Sequence, residues 1–237
     1  MSNRGATADI RPCLVIQESG TVLQLEGVVM DTITRHSEML RSSDFHFRPQ
    51  ARWRDDPVVS VWTDICSYPN FSLHHQYVNG ESAILAYFET LTAGTLLIAG
   101  SQVLSKEDRQ APSQEILLAQ GAAYIIQALG DAANISEEVR DLGRNGNAID
   151  WIQLVSLMCD KCRFFRTVRG YYGLGPSAMQ ESDILCFLFG GTTPYVLRPE
   201  GDHHVFIGEC YVYGLMSGEA IRMMEEGKLE ETTFFIH

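Results

Sequence analysis

The sequence predicts an α+β fold: a small antiparallel β-sheet or barrel built from N-terminal and C-terminal strands, with a helical insertion of about four helices. Three observations carry this. Residues 11–36 are rich in β-branched residues with partial alternation, residues 82–165 repeat apolar residues at helical spacing, and glycines punctuate short apolar runs from 166 onward. Short strands every ten or so residues with glycine turns mark a curled antiparallel sheet. A lone N-terminal hairpin is barely stable in water, so its strands need the C-terminal sheet as partner. The chain is read as a single domain over 1–237.

In 11–36, Cys13, Val15 and the run Val22–Ile33 read as two strands, with Ser19-Gly20 as the turn between them. Residues 37–80 form an irregular, aromatic loop, punctuated by Pro49, Pro57 and Pro69 and closed by Asn79-Gly80. A first helix runs from about Ser82 to Leu97 on Ile84, Leu85, Phe88, Leu91 and Leu96. Ser113 N-caps a second that carries Glu115 in its first turn and stops at Gly130. Ser136, Glu137 and Glu138 open a third that ends at Gly143. The fourth spans about Ala148–Phe164, with Trp151, Ile152, Val155, Leu157, Met158 and Cys162 as its apolar face. The runs Ile184–Phe189, Tyr195–Leu197, Val205–Ile207 and Tyr211–Leu215 then read as strands, with Phe234-Phe-Ile as the last.

Composition excludes several classes. With 237 residues, 45% apolar, including 11 Phe, 9 Tyr and 3 Trp, the chain can bury a real core and is not disordered. Thirty acidic against eighteen basic residues give a net charge of −12, which repels nucleic acid. No apolar stretch is long enough to span a bilayer, and the start lacks a secretory h-region. The expectation is a cytoplasmic protein without a nucleic-acid or membrane partner. Its six cysteines, at 13, 66, 159, 162, 186 and 210, read as reduced and mostly buried thiols. The sequence leaves the oligomeric state open.

Motif by motif, chemistry thins out. Gly173-Leu-Gly175-Pro176-Ser-Ala has a superficial dinucleotide-loop shape, but Pro176 and the β-rich sequence after it make it a turn. Cys159-Asp-Lys-Cys162 is a single pair where zinc wants four ligands, and on a helix both thiols share the face of Val155 and Met158. His203-His204 sits beside Gly201-Asp202 in a hairpin turn, where exposure is expected. Glu209 and Glu219 read as structural hydrogen-bond partners, and Glu225-Glu226 and Glu230-Glu231 as a solvated acidic tail. No nucleophile elbow, P-loop, H-E-x-x-H or EF-hand spacing occurs, so neither cofactor nor metal is expected.

Residues 45–77 stand out. Phe45, Phe47, Trp53, Trp62, Tyr68, Phe71 and Tyr77 put seven aromatics into one irregular segment, with Arg48, Arg52, Arg54, His46, His74 and His75 among them. Such a segment either packs on the core or roofs a cavity as a lid.

The string Arg166-Thr-Val-Arg-Gly-Tyr-Tyr-Gly-Leu-Gly-Pro176, then Asp183, Pro194-Tyr-Val-Leu-Arg-Pro199 and Ile207-Gly-Glu-Cys-Tyr-Val-Tyr-Gly-Leu-Met-Ser-Gly-Glu219, resembles the C-terminal region of fungal heterokaryon-incompatibility (HET) domain proteins. Leu25–Ile33 and Ala86–Leu91 look like upstream pieces of the same region. The resemblance covers about 20–237, with 37–80 poorly matched. The family usually has Gly-Asp where this chain has Ser182-Asp183, and Asp-Gly-Glu where it has Ser217-Gly218-Glu219. The signature of the N-terminal HET module, which the family links to cell death, occurs nowhere, so the resemblance implies a stand-alone tail without that role. It implies no established catalytic residues.

Two functions follow as expectations. One is a cofactor-independent cyclase, an intramolecular Diels–Alderase of fungal secondary metabolism. It would fold an apolar terpenoid or polyketide into a reactive conformer and polarise the dienophile carbonyl by hydrogen bonds. Its catalytic candidates are His74, His75, Tyr172 and Arg54, and its substrate-binding candidates Phe45, Phe47, Trp62, Phe71 and Tyr77. The other is a non-catalytic protein-interaction module derived from HET self-recognition proteins, acting through an exposed patch.

Overall fold

The computed structural model describes residues 6, 14–16, 22–45, 60–66, 72–98, 102–105, 113–129 and 136–237. The chain divides into two compact units, one formed by Met1–His36 with Phe165–His237 and the other by Ser37–Phe164.

The first unit is the β unit. Its strands are β1 (Leu14–Ile16), β2 (Leu23–His36), β5 (Cys162–Thr167, which crosses the division), β6 (Tyr172–Pro176), β7 (Ile184–Leu188), β8 (Tyr195–Glu200), β9 (His203–Glu209), β10 (Tyr211–Val212) and β11 (Glu231–Ile236). They form one nine-stranded, mostly antiparallel sheet. β2 organises it: its first half pairs with β1 and β11, its middle with β7, and its end with β5. Because β7 returns to β2, the path β2-β11-β9-β8-β7 closes into a ring. Register shifts between Val29 and Asp31 and between Ile33 and Arg35 bend the strand as it passes from one partner to the next. The N-terminal strands thus find the C-terminal partners that the sequence required.

β2 is apolar on both faces, as a strand covered on both sides must be. Leu23, Leu25 and Val29 pack with Cys186, Leu188, Leu197, Phe234 and Ile236 in one cluster. Val28, Met30 and Ile33 join Phe165, Leu185, Phe187, Val196 and Val212 in the other. That second cluster is covered by a short helix at Glu219–Glu225, whose Ala220 and Ile221 belong to it.

The helix at Glu219–Glu225 was not legible as one. Glu225, Glu226, Glu230 and Glu231 are exposed as expected, yet they end this helix and begin β11 rather than forming a tail. The Gly201-Asp202 turn joins β8 to β9 as expected, but His203 and His204 are half-buried instead of exposed. The His203 ring lies 4.4 Å from that of His237, and His204 meets Phe234 edge-on.

The second unit holds α1 (Ala83–Leu91), the hairpin β3 (Thr95–Ile98) and β4 (Gln102–Ser105), α2 (Ser113–Leu129), α3 (Glu137–Arg144) and α4 (Ala148–Met158). Two short turns, a 3-10 turn at Ser42–Phe45 and a π-type turn at Val61–Cys66, lie in the segment expected to be irregular. α1 is buried along its whole length and is mostly apolar, with Glu89 and Thr90 as its buried polar residues. Rings stitch the unit together: Tyr87 lies 5.4 Å from Phe88, Phe88 5.6 Å from Trp151, and Trp151 4.7 Å from Tyr124.

Two helices are shorter than their apolar spacing predicts. α1 stops at Leu91 because Ala93 and Gly94 turn left-handed (φ 46° and 69°) and the Gly94 N–H donates back to Glu89 O at 2.8 Å. Leu96 therefore sits in a strand. α4 stops at Met158, and Cys159 caps it. Lys161 turns left-handed (φ 60°), so Cys162 opens β5 and the two thiols do not share a helix face. Cys159 is fully buried and its thiol donates to Leu91 O at 3.1 Å. Ser113 is the first residue of α2 rather than its cap.

Candidate functional site

Of the aromatic candidates, Phe45, Trp62 and Tyr77 are core residues of the helical unit, each 5% exposed or less. Trp62 stands edge-on against Tyr87, with ring centroids 4.9 Å apart. The Tyr77 N–H donates to Glu81 O at 2.8 Å, which closes the Asn79-Gly80 turn. Among the polar candidates, His75 is half-buried and its backbone carbonyl accepts the Ala83 N–H at the start of α1. His74 is exposed, with Nε2 3.3 Å from Glu138 Oε1 of α3. Tyr172 belongs to the β unit, where it is buried in β6. Arg54, Phe47 and Phe71 lie outside the described residues, as do His46, Arg48, Arg52, Trp53 and Tyr68.

His74 leads to a feature the sequence did not announce. A cleft of about 640 Å³ opens in the helical unit between α2, α3 and the start of α4. Its walls carry four carboxylates, Glu115, Glu138, Asp141 and Asp150, with the amides of Gln120, Asn145 and Asn147 and the apolar Ile116, Ala119 and Leu142. Close backbone approach shapes it. A Cβ on Gly146 would stand 1.8 Å from Ala119 O, and one on Gly143 would meet Ile126 Cδ1 at 2.4 Å, so only glycines let the α3–α4 turn lie this near α2.

The α4 end of the cleft is fixed by capping. Asn147 is the N-cap, and its side chain accepts the Ile149 N–H at 3.1 Å. Asp150 follows in the first turn and is only 6% exposed. On the rim, Arg144 pairs with Asp141 and, at 2.9 Å, with Glu137, while His74 meets Glu138. The available signal was the Gly143-Arg-Asn-Gly-Asn147 turn flanked by acidic residues. Without knowing which helices face each other, that reads as an ordinary solvated loop.

The family string maps onto the β unit as framework. Asp183, 2% exposed, accepts the Gln180 N–H at 2.7 Å and two Arg198 donors, Nε at 2.8 Å and Nη2 at 3.0 Å. That carboxylate holds the Arg198 guanidinium's pKa above its ordinary value, chiefly through the side-chain hydrogen bond. Gly173 is a packing glycine rather than a phosphate loop, since a Cβ there would meet the Phe165 ring at 2.1 Å. Glu219 accepts the Ser217 N–H at 2.7 Å and pairs with Arg222. Asp31 accepts the Thr32 and Arg169 N–H groups at 2.9 Å each. The Tyr171 phenol is pushed up, first by burial, with Asp31 and Glu219 adding to the effect and Arg169 opposing it.

Burial also pushes up the thiols of Cys159, Cys186 and Cys210 and, more weakly, that of Cys162. All four are free. Among the described residues, no group of three or more His, Cys, Asp or Glu is placed to hold a metal ion, and no helix is long and apolar enough to cross a membrane.

Comparison with known proteins bears on the β unit. The family model of the Het-6 β-barrel domain matches residues 147–235. Heterokaryon incompatibility protein 6, OR allele, of Neurospora crassa is 39% identical over 61 residues, which is 24% of this chain and 9% of that protein. The chain thus matches only a small part of its curated relative. No solved structure matches it. Over residues 147–235 the chain is thus similar to the Het-6 β-barrel domain, and the strands in that stretch, β5 to β11, belong to the sheet that β2 and β7 close.

Proposed function

We propose that this chain acts by binding, as a non-catalytic recognition module of HET type whose helical unit carries the ligand site. The observation behind this reading is the cleft with Asp150 in its wall. Its volume of about 640 Å³ lies within the range of ligand sites, and a buried carboxylate facing open space is costly unless something meets it. The aromatic residues favour the same reading: Phe45, Trp62 and Tyr77 are spent on the protein's own core instead of on a guest. A fragment screen followed by amide chemical shifts tests it. Shifts clustered at Glu115, Gln120, Asn147 and Asp150 are the expected result. A screen whose binders all map elsewhere, or that finds none, overturns it.

A second reading is the cofactor-free cyclase. One observation favours it: His74, a candidate donor, meets the cleft through Glu138, so a substrate seated there has an imidazole at its rim. The test is incubation with polyene aldehydes or enones able to undergo intramolecular cycloaddition. Acceleration over buffer that His74→Ala removes supports it, and rates equal to buffer refute it.

A further inference from the structure

Charge and packing in the cleft select a ligand class. None of the residues lining it is a lysine, arginine or histidine, so four carboxylates share it with amides and a few apolar groups. Two of the four are already engaged at the rim, Asp141 by Arg144 and Glu138 by His74. The side chains of Glu115 and Asp150 have neither a hydrogen bond nor an ion pair among the described residues. Asp150 is the telling one, because it is 6% exposed and lines the cleft. A carboxylate this enclosed, open only toward the cleft, is at its best with a charge-assisted partner there, and a guanidinium offers it two parallel N–H donors.

Building on the binding function proposed above, we infer that the cleft takes an organic cation on an apolar stem: a guanidinium or primary ammonium that meets Asp150 while its methylenes lie along Ile116, Ala119 and Leu142. The described carboxylates are not gathered closely enough to hold a metal ion, so a bare divalent cation does not fit. An anionic ligand would face four carboxylates with no cationic residue in the lining, the rim's Arg144 and His74 being engaged by Asp141 and Glu138. The net charge of −12 on the whole chain draws cations toward the protein before any contact forms. Two sources carry this chemistry, a free amine or guanidine and an arginine or lysine side chain of a protein.

Calorimetry and amide chemical shifts on the full chain test the inference with four probes: n-butylguanidinium, its neutral isostere n-butylurea, glutarate, and a short peptide with one arginine. The expected result is binding of butylguanidinium with shifts at Asp150 and Asn147, no binding of glutarate, and butylurea at least roughly tenfold weaker. Asp150→Asn, nearly isosteric, is expected to weaken butylguanidinium about tenfold, and Glu115→Gln, on the exposed lip, by a few-fold. Should Asp150→Asn fail to fold, Glu115→Gln and the loss of affinity with added salt carry the test. A peptide much tighter than butylguanidinium assigns the site to a protein side chain, and equal affinities assign it to a free cation. Butylurea or glutarate binding as well as butylguanidinium overturns the cation while leaving a binding cleft in place. If no probe and no fragment binds there, both the inference and the function beneath it fall.

Discussion

Replacing Asp183 or Arg198 tests whether the family string is framework. The two ends of the pair differ in solvent access: the Asp183 side chain is 2% exposed and that of Arg198 24%. Arg198 also donates Nη2 to Ala178 O at 2.9 Å, a contact that survives loss of the carboxylate. Asp183→Ala therefore leaves a guanidinium that keeps one acceptor and some water. Among the described residues, Arg198→Ala leaves the buried carboxylate with only the Gln180 N–H. Removing one partner of a buried pair costs about 3–5 kcal/mol, so Asp183→Ala belongs near the bottom of that range and Arg198→Ala near the top. Urea unfolding followed by circular dichroism reads both, with the midpoint falling and the slope unchanged. A smaller loss for Arg198→Ala than for Asp183→Ala would refute the reasoning, as would losses below about 1 kcal/mol for both, the range of a solvent-screened surface pair.

Other outcomes follow from single contacts. Ser182 holds a left-handed backbone (φ 74°) at an exposed position where the HET family usually has glycine. Ser182→Gly should therefore stabilise by about 0.5–1 kcal/mol, read by denaturant midpoint, and a loss would show that its side chain matters. Trp62→Ala removes a fully buried indole from its contact with Tyr87 and should cost about 3–5 kcal/mol, whereas near-neutral stability would return Trp62 to the role of cavity wall. Gly146→Ala drives a methyl into Ala119 O and should cost about 1–3 kcal/mol and abolish cleft binding, since the α3–α4 turn must lift off α2. Thiols held above their unfolded pKa contribute stability that is complete below about pH 8.5 and is lost as pH climbs toward the folded values. Stability should thus fall from pH 8 to pH 10, less steeply in Cys186→Ala, and native labelling should reach half-buried Cys162 before Cys159, Cys186 or Cys210. A flat profile or fast labelling of Cys210 would contradict this.

What the sequence disclosed depended on how local the determining physics was. The Gly201-Asp202 hairpin, the Ser136 start of α3 and the pairing of N-terminal with C-terminal strands could be read because turn chemistry and the poor stability of a lone hairpin act on neighbouring residues or on the whole chain. Helix ends were misread where a non-glycine residue turned left-handed, at Ala93 and Lys161, which residue identity does not advertise. Apolar residues beyond those points, Leu96 and Cys162, serve strands as well as helices, so periodicity alone carried both helices too far. The cleft was invisible for a different reason. Its residues are spread over 115–150 and become one wall only when Gly143 and Gly146 bring α3 and α4 against α2. Aromatic density, by contrast, marked burial at Phe45, Trp62 and Tyr77 without revealing what would be buried against them.

The position of β2 has a consequence for biogenesis. Its partner β11 lies roughly 200 residues further along the chain, and contacts of such separation form slowly. A ribosome would release β2 long before β11 existed, leaving a fourteen-residue strand with apolar residues on both faces to wait while the intervening helices are made. Those helices depend mostly on one another and can consolidate early. Truncation short of Glu231 should therefore leave Leu23–Val28 of β2 without its β11 neighbour, an open, aggregation-prone stretch in a sheet that keeps its β7 and β5 pairings.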